Sequence, residues 1–196
     1  MSKFPENPKA VNQQDQHSSH NKQEIPSKQA AINLMRNLGL PQNIFKHEMA
    51  VMRKARNLAY NITKTPVNVE LVKIGALLHD IGRTQIHSMM HAPIGADILR
   101  ENGFPEEVAR IAERHTMAGL TDKEAQLFDL PPRHYIPETI EEKIVCLADK
   151  YFMGTTQVTI DQRFQHWMDK YGQTPFLLGQ LERAKKMEEE ILHLIF

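Results

Sequence analysis

The chain runs to 196 residues, enough for one domain of ordinary size with a substantial core. Its 24 basic and 24 acidic side chains cancel without a polybasic run, which argues against nucleic acid or an anionic membrane surface as partner. Cys146 is the only cysteine, so an intrachain disulfide framework and a cysteine-rich zinc site are excluded, as suits a reducing cytosol.

Residues 1–25 open with MSKFPENPKA, which lacks the apolar stretch of a secretory signal. The segment is rich in Gln, Asn, Ser, His and Lys and cannot bury enough surface to offset its ordering entropy, so a disordered polar tail is expected. From residue 26 to 196 the pattern is that of a single all-α helical bundle. Ser27 is suited to N-cap a first helix whose Ala31, Leu34, Met35 and Leu38 keep the i, i+3, i+4, i+7 spacing, with Gly39 to end it. A second helix follows Pro41, with Phe45, Met49, Met52, Ala55, Leu58 and Ala59 on one face. A third spans roughly 68–81, with Gly82 suited to end it. Further helices are expected over 91–102, 105–116, 139–152, 160–171 and 175–195. The proline-bearing stretch 120–138 reads as a long irregular connection with at most one short helix. No strand pair, no internal repeat and no run of about 18 apolar residues is found, so a cytoplasmic chain without a membrane span is expected.

Eight of the ten histidines lie beyond the first 25 residues, and several fall at the ends of different expected helices. His79 and Asp80 close the third, His91 opens the fourth, His115 ends the fifth, and His47 and Asp149 lie in the second and sixth. Imidazole and carboxylate together suit Zn, Fe, Mn and similar cations, and helical bundles build such sites from side chains projecting inward. Neighbours on a regular helix point about 100° apart, so His79 and Asp80 can share one centre only where the helix ends. An isolated His-Asp pair is otherwise a surface or capping arrangement.

The run GALLHDIGR, with His47 upstream, MHAPIGADIL and HTMAG downstream, and then KIVCLADKY, resembles the HD domain of metal-dependent phosphohydrolases over roughly residues 43–152. The resemblance implies that His47, His79, Asp80 and Asp149 hold a first metal. His91 and His115 match the additional ligands of two-metal branches, with Asp80 then bridging. It implies one or two divalent ions (Fe, Mn, Zn, Ni, Co or Mg) and attack by metal-bound hydroxide on a phosphomonoester or phosphoanhydride of a nucleotide-like small molecule. The physical basis is that a divalent cation lowers the pKa of bound water from about 15.7 towards 7. The HTMAG and MHAPIGA contexts are somewhat similar to the branch that cleaves diadenosine polyphosphates symmetrically. No GxSxG elbow and no GxxxxGK[ST] loop competes with this reading.

Asp80 and Arg83 are the candidate catalytic residues, and Arg83, His87 and Lys150 the candidate substrate contacts. Arg83 stands where many relatives carry lysine; its planar fork suits a phosphate, but a solvated helix-end arginine is the alternative. His87 precedes His91 by four residues, but the intervening sequence reads as a turn. Arg114 reads as a surface residue and His134 as an exposed loop histidine. His166 and His193 read as packing or surface residues, and Trp167 and Tyr171 as anchors for their own helix. The stripe Leu181, Ala184, Met187, Ile191 of the last helix is assigned to the core in preference to a partner subunit, with a homodimer left open. A non-catalytic nucleotide-sensing module with the same fold is the alternative function, and an RNA-processing role the least favoured.

Overall fold

A computed structural model describes residues 24–196; the expected polar tail lies outside them except for its last two residues. Of those two, Ile25 packs against the edge of the core, so order begins before Pro26. The chain forms α1 (Lys28–Asn37), α2 (Gln42–Asn61), α3 (Val69–Leu78), a 3₁₀ turn (Ile81–Thr84), α4 (His91–Glu101) and α5 (Glu106–Arg114). After these come α6 (Asp122–Gln126), α7 (Ile140–Lys150), a hairpin of β1 (Phe152–Met153) and β2 (Thr156–Gln157), α8 (Ile160–Tyr171) and α9 (Pro175–Ile195). The protein is all-α apart from that hairpin.

Local chemistry sets most of these starts. Ser27, Asn68, Thr121, Thr139, Thr159 and Thr174 each accept a hydrogen bond from a first-turn N–H, worth about 1 kcal/mol apiece. α3 is buried on nearly every side, from Leu71 through Leu78, and is therefore the central helix. It packs against α1, α2, α5 and α7, while α9 lies across α7 and α2 and carries α8 on its other side. The apolar stripe of α9 enters the core through Ala184, Met187 and Ile191, with Leu181 partly buried against it. A smaller apolar cluster of Leu120, Ala125, Leu130 and Tyr135 underlies the irregular connection, which does contain one short helix, α6.

Two expectations need correction. The antiparallel hairpin, pairing Phe152 with Gln157 and Met153 with Thr156, was not anticipated; Gly154 turns it with φ +61°. Arg114 is not a surface residue: it is 7% exposed and donates to Glu142 at 3.0 Å and Glu138 at 2.7 Å. It also donates through Nε to the His134 carbonyl at 3.1 Å, so it ties α5 to the connection and to α7. His134 itself is exposed and stands 3.3 Å from Glu138. Replacing Arg114 by Ala leaves the buried Glu142 carboxylate without its cation. A loss of about 3 kcal/mol in denaturant unfolding is expected, with helical circular dichroism intact. An unchanged unfolding midpoint would show that this ion pair contributes nothing.

Candidate metal centre

His79 is the last residue of the α3 region with helical dihedrals (φ −60°, ψ −34°), and Asp80 departs from them (φ −101°, ψ 14°) before the 3₁₀ turn. That break lets the two neighbours serve one centre, with His79 Nε2 and Asp80 Oδ2 4.0 Å apart. Gly82 has a different reason from the helix ending expected of it. A Cβ there would lie 2.0 Å from the His91 carbonyl oxygen. The turn presses its bare backbone onto the start of α4, and this brings Asp80 to His91.

Four imidazoles are tethered in the same way, Nδ1–H donating to a main-chain carbonyl. His47 bonds Gly154 at 2.7 Å, His79 bonds Ala76 at 2.8 Å, His91 bonds Ser88 at 2.6 Å and His115 bonds Ala112 at 2.7 Å. A carbonyl can only accept, so Nδ1 carries the proton and each neutral ring presents a lone pair at Nε2. His79 and His115 sit at the C-caps of α3 and α5, where main-chain carbonyls lack intrahelical partners and are free for this purpose. His47 is tethered instead by the turn of the unexpected hairpin.

The Nε2 atoms converge on two carboxylates. His91 and His115 approach each other to 3.2 Å, and Asp80 Oδ1 lies 3.0 Å and 3.3 Å from them. Asp149 Oδ1 lies 3.0 Å from His47 and 3.7 Å from His79. Lone pairs thus face lone pairs, an arrangement that requires protons or cations between them. His79 Nε2 and Asp80 Oδ1 are buried without a hydrogen-bond partner. Burial pushes His115 down to about 3 despite the pull of Asp80, so a proton is not readily taken there. Burial also opposes charge on His47, but Asp149 and Asp80 outweigh it and raise its pKa. Asp80 and Asp149 are both drawn well below the usual carboxylate range. Burial works against this, but His79, His115 and His91 outweigh it for Asp80, and Lys150 and His47 do so for Asp149.

Nitrogen and carboxylate donors of this kind suit divalent cations. Two sets of mutually close ligand atoms share one residue: His47, His79 and Asp80, and Asp80, His91 and His115. The residues present fit one cation, or two with Asp80 common to both. Asp149 joins the first set through its contacts with His47 and His79.

Other groups fix the ligands. Lys150, 2% exposed, donates to Asp149 Oδ2 at 2.6 Å and to the His115 carbonyl at 3.0 Å, so two of its three N–H groups are committed to the protein. Arg83 Nε donates to Asp80 Oδ2 at 2.6 Å and Nη1 to the His87 carbonyl at 3.4 Å, and the residue lines the adjoining pocket. His87 is exposed on that pocket, in an irregular stretch, and forms no chelating pair with His91. Sequence reasoning missed Glu48. It is fully buried; Oε1 accepts from the Asp80 N–H at 3.1 Å, and Oε2 has no partner. Burial, and then the nearby charge of Asp80, push its carboxyl well above the usual range. The available signal was a carboxylate on the same stripe of α2 as Phe45, Met52 and Ala55.

The centre borders a pocket of about 780 Å³ lined by Arg83 and His87 and by aromatic residues of the C-terminal half. Trp167 and Tyr171 line this pocket, so they do more than anchor α8. The HD domain family model matches residues 44–154, more than half of the chain and all six ligand candidates. The chain belongs to the HD domain family. It is 41% identical over 167 residues to an uncharacterized protein of Methanocaldococcus jannaschii, covering 84% of this chain and 96% of that one. It is 40% identical over 146 residues to a tRNA (cytidine(56)-2′-O)-methyltransferase of Thermoplasma volcanium, covering 74% of this chain but only 42% of that protein. The fold is also that of the HD domain of the L. monocytogenes phosphodiesterase PgpH in its crystal structure with cyclic-di-AMP. The TM-score is 0.50 at 20% identity, over 85% of this chain and 97% of that one.

HD domains bind divalent metals, and here the residues behind the ligands are open to test. Glu48→Ala is expected to weaken divalent-metal affinity by roughly 10–100-fold, read by competition with a chromogenic chelator. Glu48→Gln, which keeps an acceptor for the Asp80 N–H, should weaken it less. Equal losses in the two variants would remove the hydrogen-bond explanation.

Proposed function

We propose that this HD domain protein is a phosphohydrolase that cleaves a phosphomonoester or phosphoanhydride of a nucleotide-like small molecule. The observation that carries the reading is the convergence of four Nδ1-tethered imidazoles and two carboxylates at the side of a pocket large enough for a mononucleotide. In this reading His47, His79, Asp80 and Asp149 hold one divalent cation, and Asp80, His91 and His115 hold a second. Bound there, such ions supply a water of lowered pKa and polarise a phosphoryl oxygen.

The chain's own groups do the rest. Arg83 orients Asp80 through Nε and offers its remaining N–H groups to equatorial phosphoryl oxygens, where transition-state charge accumulates. Lys150 holds Asp149 in place and keeps one N–H for the substrate. His87 lines the same pocket and is available to the substrate. A zero net charge and a pocket of about 780 Å³ favour a small substrate over a polymer. The cyclic dinucleotide bound by the PgpH domain is a ligand of that chemical class.

Elemental analysis of the purified protein should find one or two divalent ions per chain. Chelation should abolish hydrolysis of at least one member of a nucleotide phosphate panel, and added metal should restore it. Asp80→Ala should lose bound metal and lower the rate by roughly a thousandfold or more, with helical content unchanged. A metal-free protein with undiminished hydrolysis, or full activity in Asp80→Ala, would overturn the reading.

A further inference from the structure

Among the described residues, five buried polar side-chain atoms lack a hydrogen-bond partner. Three belong to Glu48, His79 and Asp80 at the metal centre. The other two, Thr116 Oγ1 and Arg163 Nε, belong to residues lining the pocket beside it. Unpaired buried polar atoms cost free energy, and these two lie in residues that wall the pocket.

Arg163 does not stand alone. Its guanidinium carbon lies 4.3 Å from the centroid of the Trp167 ring, and Phe164 braces that ring edge-on at 4.9 Å and 90°. The indole and guanidinium therefore form one flat, fixed unit on the pocket wall. Phe128 and Phe176, whose centroids are 5.5 Å apart, line the same pocket. Flat aromatic and guanidinium surfaces are what purine and pyrimidine rings stack on. None of these stacking residues of α8 and α9 falls within the 44–154 family match.

We propose that Trp167 and Arg163, with Phe128 and Phe176, form the subsite that takes the nucleobase of the substrate. The metal centre takes the phosphate, and the Thr116 hydroxyl is available to the sugar between them. The proposal rests on the nucleotide-hydrolase reading above and adds where the base is selected. A free phosphate or a sugar phosphate would leave this wall uncovered.

Trp167 is the only tryptophan of the chain, which makes it a reporter of its own occupancy. AMP, CMP, ribose 5-phosphate and inorganic phosphate are titrated against the metal-loaded full-length protein while its tryptophan fluorescence is followed. Saturable quenching by a nucleoside monophosphate, and none by the other two compounds, is the expected result. Quenching that recovers as product forms supports both readings. Quenching with no turnover of any member of the nucleotide phosphate panel keeps the base subsite and removes the hydrolase reading. No quenching by either nucleotide, or equal quenching by ribose 5-phosphate, overturns the subsite even if hydrolysis is observed. By calorimetry, Trp167→Leu and Phe176→Ala should each reduce the preference for AMP over ribose 5-phosphate by about tenfold, or roughly 1.4 kcal/mol. A preference unchanged in both variants also overturns it.

Discussion

Everything at the centre depends on four main-chain carbonyls. Each takes the Nδ1 proton of an imidazole, and by doing so decides that Nε2 faces inward without one. Three of the four tethers are local, reaching back three residues: to the Ala76 and Ala112 carbonyls in the last turns of α3 and α5, and to the Ser88 carbonyl before α4, which also accepts the His91 N–H. They form as soon as α3, α5 and the turn before α4 form. The fourth is long-range: His47 needs the hairpin turn at Gly154, 107 residues away, to be in place. The first metal set is thus completed only when α2 and the end of α7 have docked, whereas the rings of the second are oriented by their own elements.

This arrangement is unfavourable for the bare protein. Buried acceptors at 3.0–3.3 Å repel one another, and burial keeps His115 from taking the proton that would relieve it. The apolar core must outweigh that cost; α3 supplies much of it, with seven buried positions between Leu71 and Leu78. A cation held by these residues would have no comparable site in the unfolded chain, so the repulsion stored in the fold would become affinity for the ion. Glu48 extends the same logic backwards. A carboxyl buried without a cation is best kept protonated, where it adds no further negative charge behind Asp80.

What could be read from residues alone follows from which forces are local. α8 and α9 occupy 160–171 and 175–195 as expected, because Thr159 and Thr174 cap them and Gly172 separates them. The end of α3 came out three residues shorter than its apolar period. Ile81 continues the hydrophobic pattern although the backbone has already tightened into a 3₁₀ turn, and periodicity does not register that change. Arg114 was misplaced because its partner Glu142 lies 28 residues away and nothing near it in the chain announces burial. Gly82 was picked out, but for a local conformational reason, when the decisive contact is with the backbone of α4. The ligand candidates were legible through a family resemblance; the aromatic wall was not, since aromatic residues at helical spacing ordinarily pack into a core.

The wall also explains why α9 is more than a brace. Gln180, fully buried, accepts from the Ala118 N–H at 2.8 Å and donates to the Gly119 carbonyl at 3.0 Å. Arg183 donates to the same carbonyl at 2.7 Å and to Glu124, whose side chain accepts from the N-cap Thr121 of α6. These bonds pin residues 116–119, in which Met117 adopts the left-handed conformation (φ 56°) that a non-glycine side chain disfavours. The same residues carry Thr116 and Met117 into the pocket directly after the ligand candidate His115. A helix outside the matched family region therefore shapes the segment that leads away from the metal centre. Ligand geometry and pocket shape are coupled through three residues of backbone, so the C-terminal helices can alter what the site accepts without touching a ligand.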